Sequence, residues 1–211
     1  MTYEIQITKK INEFKNKFYI DRLIEAQKST ICLFREDKKD IRKVAGSGIF
    51  IQIEGKGYLI TAAHVLAEYY RDTFVILPDE ELFLGGNLTS TEPPETNNRN
   101  DDKIDISVFK MNTECRDKLL SRYTPLRINE IQLNHQLRYS PSYFLVGYPI
   151  TKTKKVWNKD EIKSQAFTYQ SETDLNFDYK RFGFNKKTTI ALKFDGEVTS
   201  AKIPNPHLSP D

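Results

Sequence analysis

Short apolar and β-branched runs, each closed by turn residues, predict an all-β chain. Two observations sharpen that class. The runs Val44–Ile53 and Tyr58–Thr61 flank Glu54-Gly-Lys-Gly57, the signature of a hairpin. No heptad pattern and no internal repeat is present, which excludes coiled coils and solenoids. At 211 residues the chain is long enough for one all-β domain or a double barrel with a real core.

One helix is expected, at the N-terminus. Over residues 7–28, Ile7, Ile11, Phe14, Phe18, Leu23 and Ile24 recur at helical spacing, with lysines on the other face. The spacing predicts Ile11, Phe14 and Phe18 turned inward, against the first β unit or against a partner protein. Thr30–Phe34 reads as a short strand and Arg35–Lys43 as a charged, solvated turn. After the hairpin, Thr73–Leu77 and Glu81–Leu84 read as strands. Gly85–Lys103 is polar and contains Pro93-Pro94, so a mobile loop is predicted. Ile104–Lys110 is the next strand, and it puts Asp105 inside an otherwise apolar run. Residues 125–145 read as a connection into a second unit. Tyr143–Pro149 opens that unit as a strand ended by a Gly-Tyr-Pro turn. Ser164–Ser171, Asp174–Tyr179 and Thr189–Phe194 follow as strands, and Ile203–Asp211, with its three prolines, as loop.

Bulk properties narrow the function classes. A net charge of +3 is too weak a basic balance to argue for a nucleic-acid or membrane partner. No run approaches the roughly 20 apolar residues of a membrane helix. The first residues hold no apolar signal core, so a reducing cytoplasm is the expected compartment. Cys32 and Cys115 are the only cysteines, and neither a disulfide framework nor ligands at zinc spacing can be drawn. No metal and no organic cofactor is implied.

The chemistry-bearing residues are His64 and Asp105. A serine hydroxyl is a poor nucleophile at neutral pH and needs a base within hydrogen-bond reach. Histidine serves because its ordinary pKa lies near the working pH. A carboxylate that accepts from the far ring nitrogen fixes the tautomer and stabilises the imidazolium. His64 ends an apolar run behind two alanines, and Asp105 is a carboxylate where an apolar side chain would be ordinary.

Gly46-Ser-Gly48, Leu59-Ile-Thr-Ala-Ala-His-Val65, Asp105-Ile-Ser-Val108 and Val146-Gly-Tyr-Pro149 together resemble the chymotrypsin/trypsin-like serine peptidases of clan PA, especially the bacterial ones. The resemblance spans about residues 30–211. It implies two six-stranded antiparallel β-barrels with the site in the cleft between them. Residues 1–29 would be a helical extension, 30–125 the first barrel with His64 and Asp105, and 126–211 the second, lacking its last strands. It implies His64 as general base, Asp105 as its orienting carboxylate, and a protein or peptide substrate. Asp101 and Asp102 lie in the polar loop without apolar flanks, which favours Asp105.

The nucleophile is where the sequence departs from the family. The expected Gly-x-Ser-Gly-Gly, counted on from Asp105, falls at about residues 195–215, and the sequence ends at 211 without it. Ser209 and Ser200 lack the glycines whose backbone forms an oxyanion hole. Cys32 reads as a small core hydrophobe and Cys115 lies in a charged segment, so neither fits a nucleophile. Three readings follow: a serine endopeptidase whose nucleophile lies outside this sequence, an inactive relative that binds or scaffolds proteins, and an unrelated β-rich binding protein. In the first, the 211-residue chain itself is inactive.

Overall fold

The computed structural model describes residues 17–36, 42–67, 69–133, 135, 142–149, 153–155, 162–164, 166–187 and 189–193. Most of the regular structure is β. One sheet holds β1 (Thr30–Glu36), β2 (Arg42–Ile53), β3 (Lys56–Thr61), β4 (Thr73–Ile76), β5 (Glu81–Phe83), β6 (Gly86–Ser90), β7 (Ser107–Met111) and β8 (Leu126–Arg127). Its order is β5-β4-β1-β2-β3-β7-β6, every neighbour antiparallel, with β8 joining β2 in parallel.

β5 and β6 stand at opposite ends of that order, yet only Leu84 and Gly85 separate them. The chain passes from one edge to the other in two residues, and the sheet is curled. Hydrogen bonds continue around the corner: Leu84 N–H donates to Thr73 O (3.1 Å) and Asn112 N–H to Gly85 O (2.8 Å). Gly86 suits this corner. Its φ is +153°, and a Cβ there would lie 2.1 Å from Lys110 O.

The hairpin turn is equally local in origin. Glu54 and Gly55 take φ of 49° and 74°, the two left-handed positions that a two-residue hairpin loop requires. β1 explains the unbroken apolar run Ile31–Phe34, because both of its faces are covered. Ile31 and Leu33 join Phe50, Leu59, Leu66, Phe109 and Leu119 inside the sheet, while Cys32 and Phe34 join Val44, Phe74 and Tyr148 on the other side. Fully burying a side chain such as Phe50 or Phe109 contributes about 1.5–3 kcal/mol relative to leaving it exposed.

Two small antiparallel sheets follow: β9 (Ser142–Gly147) with β12 (Phe167–Glu172), and β10 (Thr153–Lys155) with β11 (Ile162–Ser164). Tyr148, just past β9, fills the outer cluster on the first sheet. Three α-helices, α1 (residues 17–28), α2 (Ala63–Leu66) and α3 (Thr113–Leu120), and three short 3₁₀ turns (Tyr70–Asp72, Arg99–Asp101 and Ile128–Glu130) complete the described elements.

Several elements differ from expectation. Residues 7–16, with Ile11 and Phe14, lie outside the described residues. Phe18 does not turn inward: it is 47% exposed, with the Arg22 guanidinium over its ring. The buried face of α1 carries Leu23 and Gln27 instead, and Tyr19 packs against Phe144. Leu23 sits about 140° around the helix from Phe18, so one buried stripe cannot hold both.

Gly85–Lys103 is not all loop, since β6 lies within it, paired along β7. Asp174–Tyr179 is a series of turns rather than a strand, organised by Phe177 against Tyr179, Phe182 and Phe184. The described part of Thr189–Phe194 contributes one bridge, Leu192 to Thr173. Helix α3 was unforeseen, although Asn112 caps it by accepting from Cys115 N–H at 2.8 Å. Arg127 and Leu126 belong to the first sheet through β2 rather than to a second unit.

Candidate active site

Helix α2, the end of β3 just before it and the distant Gly-Tyr-Pro turn meet at Gly46-Ser47-Gly48 of β2, and the two glycines make room for the first two. A Cβ on Gly46 would lie 2.7 Å from a Val65 methyl, and one on Gly48 would lie 2.4 Å from Leu59. Val65 is the neighbour of His64 in α2, so the bare backbone of Gly46 is the seat of the short helix that presents the histidine. Ser47 ties the other two segments. Its carbonyl accepts from Thr61 Oγ1 (2.7 Å), at the end of β3, and its Oγ accepts from Tyr148 N–H (2.6 Å), in the Gly-Tyr-Pro turn.

Helix α2 is one turn long and has no side-chain cap at Ala62. A helix start leaves backbone N–H groups in need of acceptors. Asp105 answers one of them from 41 residues away: its Oδ1 accepts from His64 N–H at 2.9 Å. Its Oδ2 pairs with His64 Nδ1. Both carboxylate oxygens therefore engage the same residue, one on the backbone and one on the ring. A carboxylate oxygen accepts, so Nδ1 carries the hydrogen and a neutral ring keeps its lone pair on Nε2. The His64 side chain is 56% exposed and that of Asp105 22%. The ring is open to an incoming molecule, while the group that orients it is mostly shielded.

The setting of Asp105 differs from the expected one. β7 begins at Ser107, and Asp105 lies just before it. Ile104 and Ile106 are 55% and 46% exposed, so the flanking apolar residues do not bury the carboxylate. The loop ahead of it is held by polar contacts. Arg99 donates to Asp102 Oδ2 (2.6 Å), to Thr91 O (2.9 Å) and to Glu92 O (3.3 Å). Asp102 Oδ1 accepts from Ile104 N–H at 3.0 Å. These bonds hold the Asp102 carboxyl below the usual carboxylate range, the Ile104 N–H contributing most and the Arg99 guanidinium next. Asp101 accepts from Thr96 Oγ1 (2.8 Å). Both acidic residues thus bond within the loop, and Asp105 is the one joined to His64.

Both cysteines are buried in the core. Cys32 is buried in the outer cluster of β1. Cys115 is buried among the inner core residues on α3 rather than displayed in a charged segment, and burial pushes its thiol pKa up, away from a nucleophile. Ser200 and Ser209 lie outside the described residues. Among the described residues, no three His, Cys, Asp or Glu side chains are grouped so as to hold a metal ion, and no helix is long and apolar enough to cross a membrane. Sequence reasoning missed Ser47 as a tie and Arg99 as an organiser. The first had a signal in its flanking glycines; the second had none, because an arginine in a polar loop reads as solvated. The chain matches no family model and no curated protein.

Proposed function

We propose that this chain is the His/Asp part of a trypsin-like serine endopeptidase, built on two antiparallel β-barrels. The double engagement of His64 by Asp105 carries the reading. The curled sheet, whose edges meet through Leu84 and Gly85, supports the first barrel. The seat of Tyr148 on Ser47 supports a second unit packed beside the site.

In this mechanism the serine Oγ attacks the scissile carbonyl as His64 Nε2 takes its proton. Asp105 holds the ring with Nδ1–H toward itself and stabilises the imidazolium. His64 then passes the proton to the leaving amine, and water repeats the sequence on the acyl-enzyme. No described residue is assigned as the nucleophile. The reading expects it on a Gly-x-Ser-Gly-Gly segment, which residues 1–211 do not contain.

Fluorophosphonate labelling tests the reading. The 211-residue chain is expected to remain unlabelled and not to hydrolyse peptides. A chain that also carries the Gly-x-Ser-Gly-Gly segment is expected to do both, and His64→Ala in it to lose labelling. Stoichiometric labelling of the 211-residue chain at Ser200 or Ser209 would move the nucleophile there. An extended, folded chain that is never labelled would defeat the peptidase reading.

A further inference from the structure

Asp105 is useful only if its carboxylate is fixed in front of His64, and the usual means of fixing it is missing. Ile104 and Ile106 on either side are about half exposed, so apolar packing does not anchor the segment. A closed ring of hydrogen bonds does. From Arg99 it runs to Asp102 (2.6 Å) and from Asp102 to the Ile104 N–H (3.0 Å). Beyond Asp105, the Ile106 carbonyl accepts from Thr91 N–H (2.9 Å), and Ile106 N–H lies 3.3 Å from Thr91 Oγ1. The Thr91 carbonyl then returns to Arg99 (2.9 Å). Asp105 is the one residue between the two tethered isoleucines.

The joint of this ring is shielded more than the site it serves. The Arg99 and Asp102 side chains are 17% and 8% exposed, against 56% for His64. A planar guanidinium suits the joint, because its forked donors reach a carboxylate and two carbonyls at once. A lysine has the charge but not the fork.

We propose that Arg99 and Asp102 are positioning residues: their ion pair closes a brace around Asp105 that sets its carboxylate against the His64 N–H and Nδ1. The mechanistic importance of the brace rests on the peptidase reading; the geometry does not. By that reading, substitutions in a loop touching no substrate would lower turnover through the His64–Asp105 pair.

The test reads that pair directly by NMR on the isotopically labelled 211-residue chain. Two signals are followed: the hydrogen-bonded Nδ1–H resonance, assigned by its loss in His64→Gln, and hydrogen exchange at the His64 amide. Arg99→Ala is expected to broaden or remove the first and to speed the second about tenfold, the scale of one lost hydrogen bond. Arg99→Lys should fall between wild type and Arg99→Ala. Arg116→Ala is the control. It removes an arginine-to-carbonyl bond of 2.6 Å at Gly55, on the hairpin turn, and should leave both signals as they are.

If Arg99→Ala does not fold, Asp102→Asn decides, since it keeps the shape and an acceptor for Ile104 N–H but removes the ion pair. Faster His64 amide exchange in folded Asp102→Asn supports the brace. Wild-type signals in folded Arg99→Ala or Asp102→Asn, or an equal effect of Arg116→Ala, overturn it. Absence of both signals in the wild type overturns the brace together with the His64–Asp105 pair. Arg99-dependent signals, combined with an extended chain that is never labelled by fluorophosphonate, keep the brace and remove the peptidase reading.

Discussion

Gly46→Ala puts a methyl group where Val65 already stands. The new Cβ would be 2.7 Å from one Val65 methyl and 3.2 Å from the other, whereas ordinary contact begins at 3.4 Å. Relief needs a displacement of about 0.7 Å, and Val65 has no easy way to supply it. Its β-branched side chain has few rotamers, and it is buried within the inner core. The movement therefore falls on helix α2 and on His64. A displacement of that size along the His64 N–H bond to Asp105, now 2.9 Å, gives about 3.6 Å, beyond hydrogen-bond range. Two energies oppose each other. Removing a glycine from a strand favours folding by about 0.4–1 kcal/mol, through the unfolded chain. Overpacking a close-packed site costs about 1–3 kcal/mol. Overpacking wins, and a net loss of about 1–2 kcal/mol is expected. Urea denaturation of wild type, Gly46→Ala, Val65→Ala and the double variant measures it as a cycle. The double variant removes the opposing methyls, so it should be less damaged than the sum of the singles by about 1 kcal/mol or more. Additivity within about 0.5 kcal/mol would refute the argument that Gly46 is the seat of the histidine helix.

Other expectations follow from the same contacts. Asp105→Asn should remove the charge that stabilises an imidazolium and, in a chain that is labelled, slow acylation by roughly 10⁴, read as the labelling rate. Amides of β9 and β12, in a two-stranded sheet, should exchange faster than those of β1–β3 in the eight-stranded one; the reverse order would contradict their difference in pairing. Burial pushes the Tyr123 hydroxyl up to about 12 and raises that of Tyr148 as well. Their folded forms hold the proton more tightly, so this contribution to stability is complete below pH 10 and is lost as pH rises through about 12. Phenolate absorbance of Tyr123 and Tyr148 should rise late and coincide with unfolding. Asp102 titrates in the opposite sense. Its lowered pKa gives a contribution present above its ordinary 3.8 and lost as pH falls through the lowered value, so wild type and Asp102→Asn should converge in urea midpoint on strong acidification.

What the sequence made legible was local. The hairpin at Glu54-Gly55 was readable because both residues take left-handed backbone angles, which glycine signals in one of them. The run Ile31–Phe34 was readable as a strand because both faces are buried. What stayed hidden depended on partners distant in the chain. β6 looks like loop sequence because Gly86-Asn-Leu-Thr-Ser90 is half exposed, and only its pairing with β7 makes it a strand. Asp174–Tyr179 carries apolar residues at strand-like intervals, but Phe177 spends them on a local ring cluster. In α1 the pattern announced a helix and not its buried face, because a helix with apolar residues on several sides leaves that choice to tertiary packing.

The candidate site divides the same way. His64 and Asp105 were legible as residue types in telling contexts, but the apolar neighbours that drew attention to Asp105 turned out to be exposed. The cost of burial, which made an aspartate there look unusual, is therefore not what singles it out. Its two oxygens do. One satisfies a helix N–H that Ala62 cannot cap, and the other meets the ring of the same residue. The first contact fixes where His64 sits and the second fixes how its ring is turned. One carboxylate thus ties folding of α2 to orientation of the base. Any displacement of the loop ahead of β7 must then disturb both together, which is why a brace built from Arg99, Asp102 and Thr91, none of them touching the ring, bears on the chemistry at Nε2.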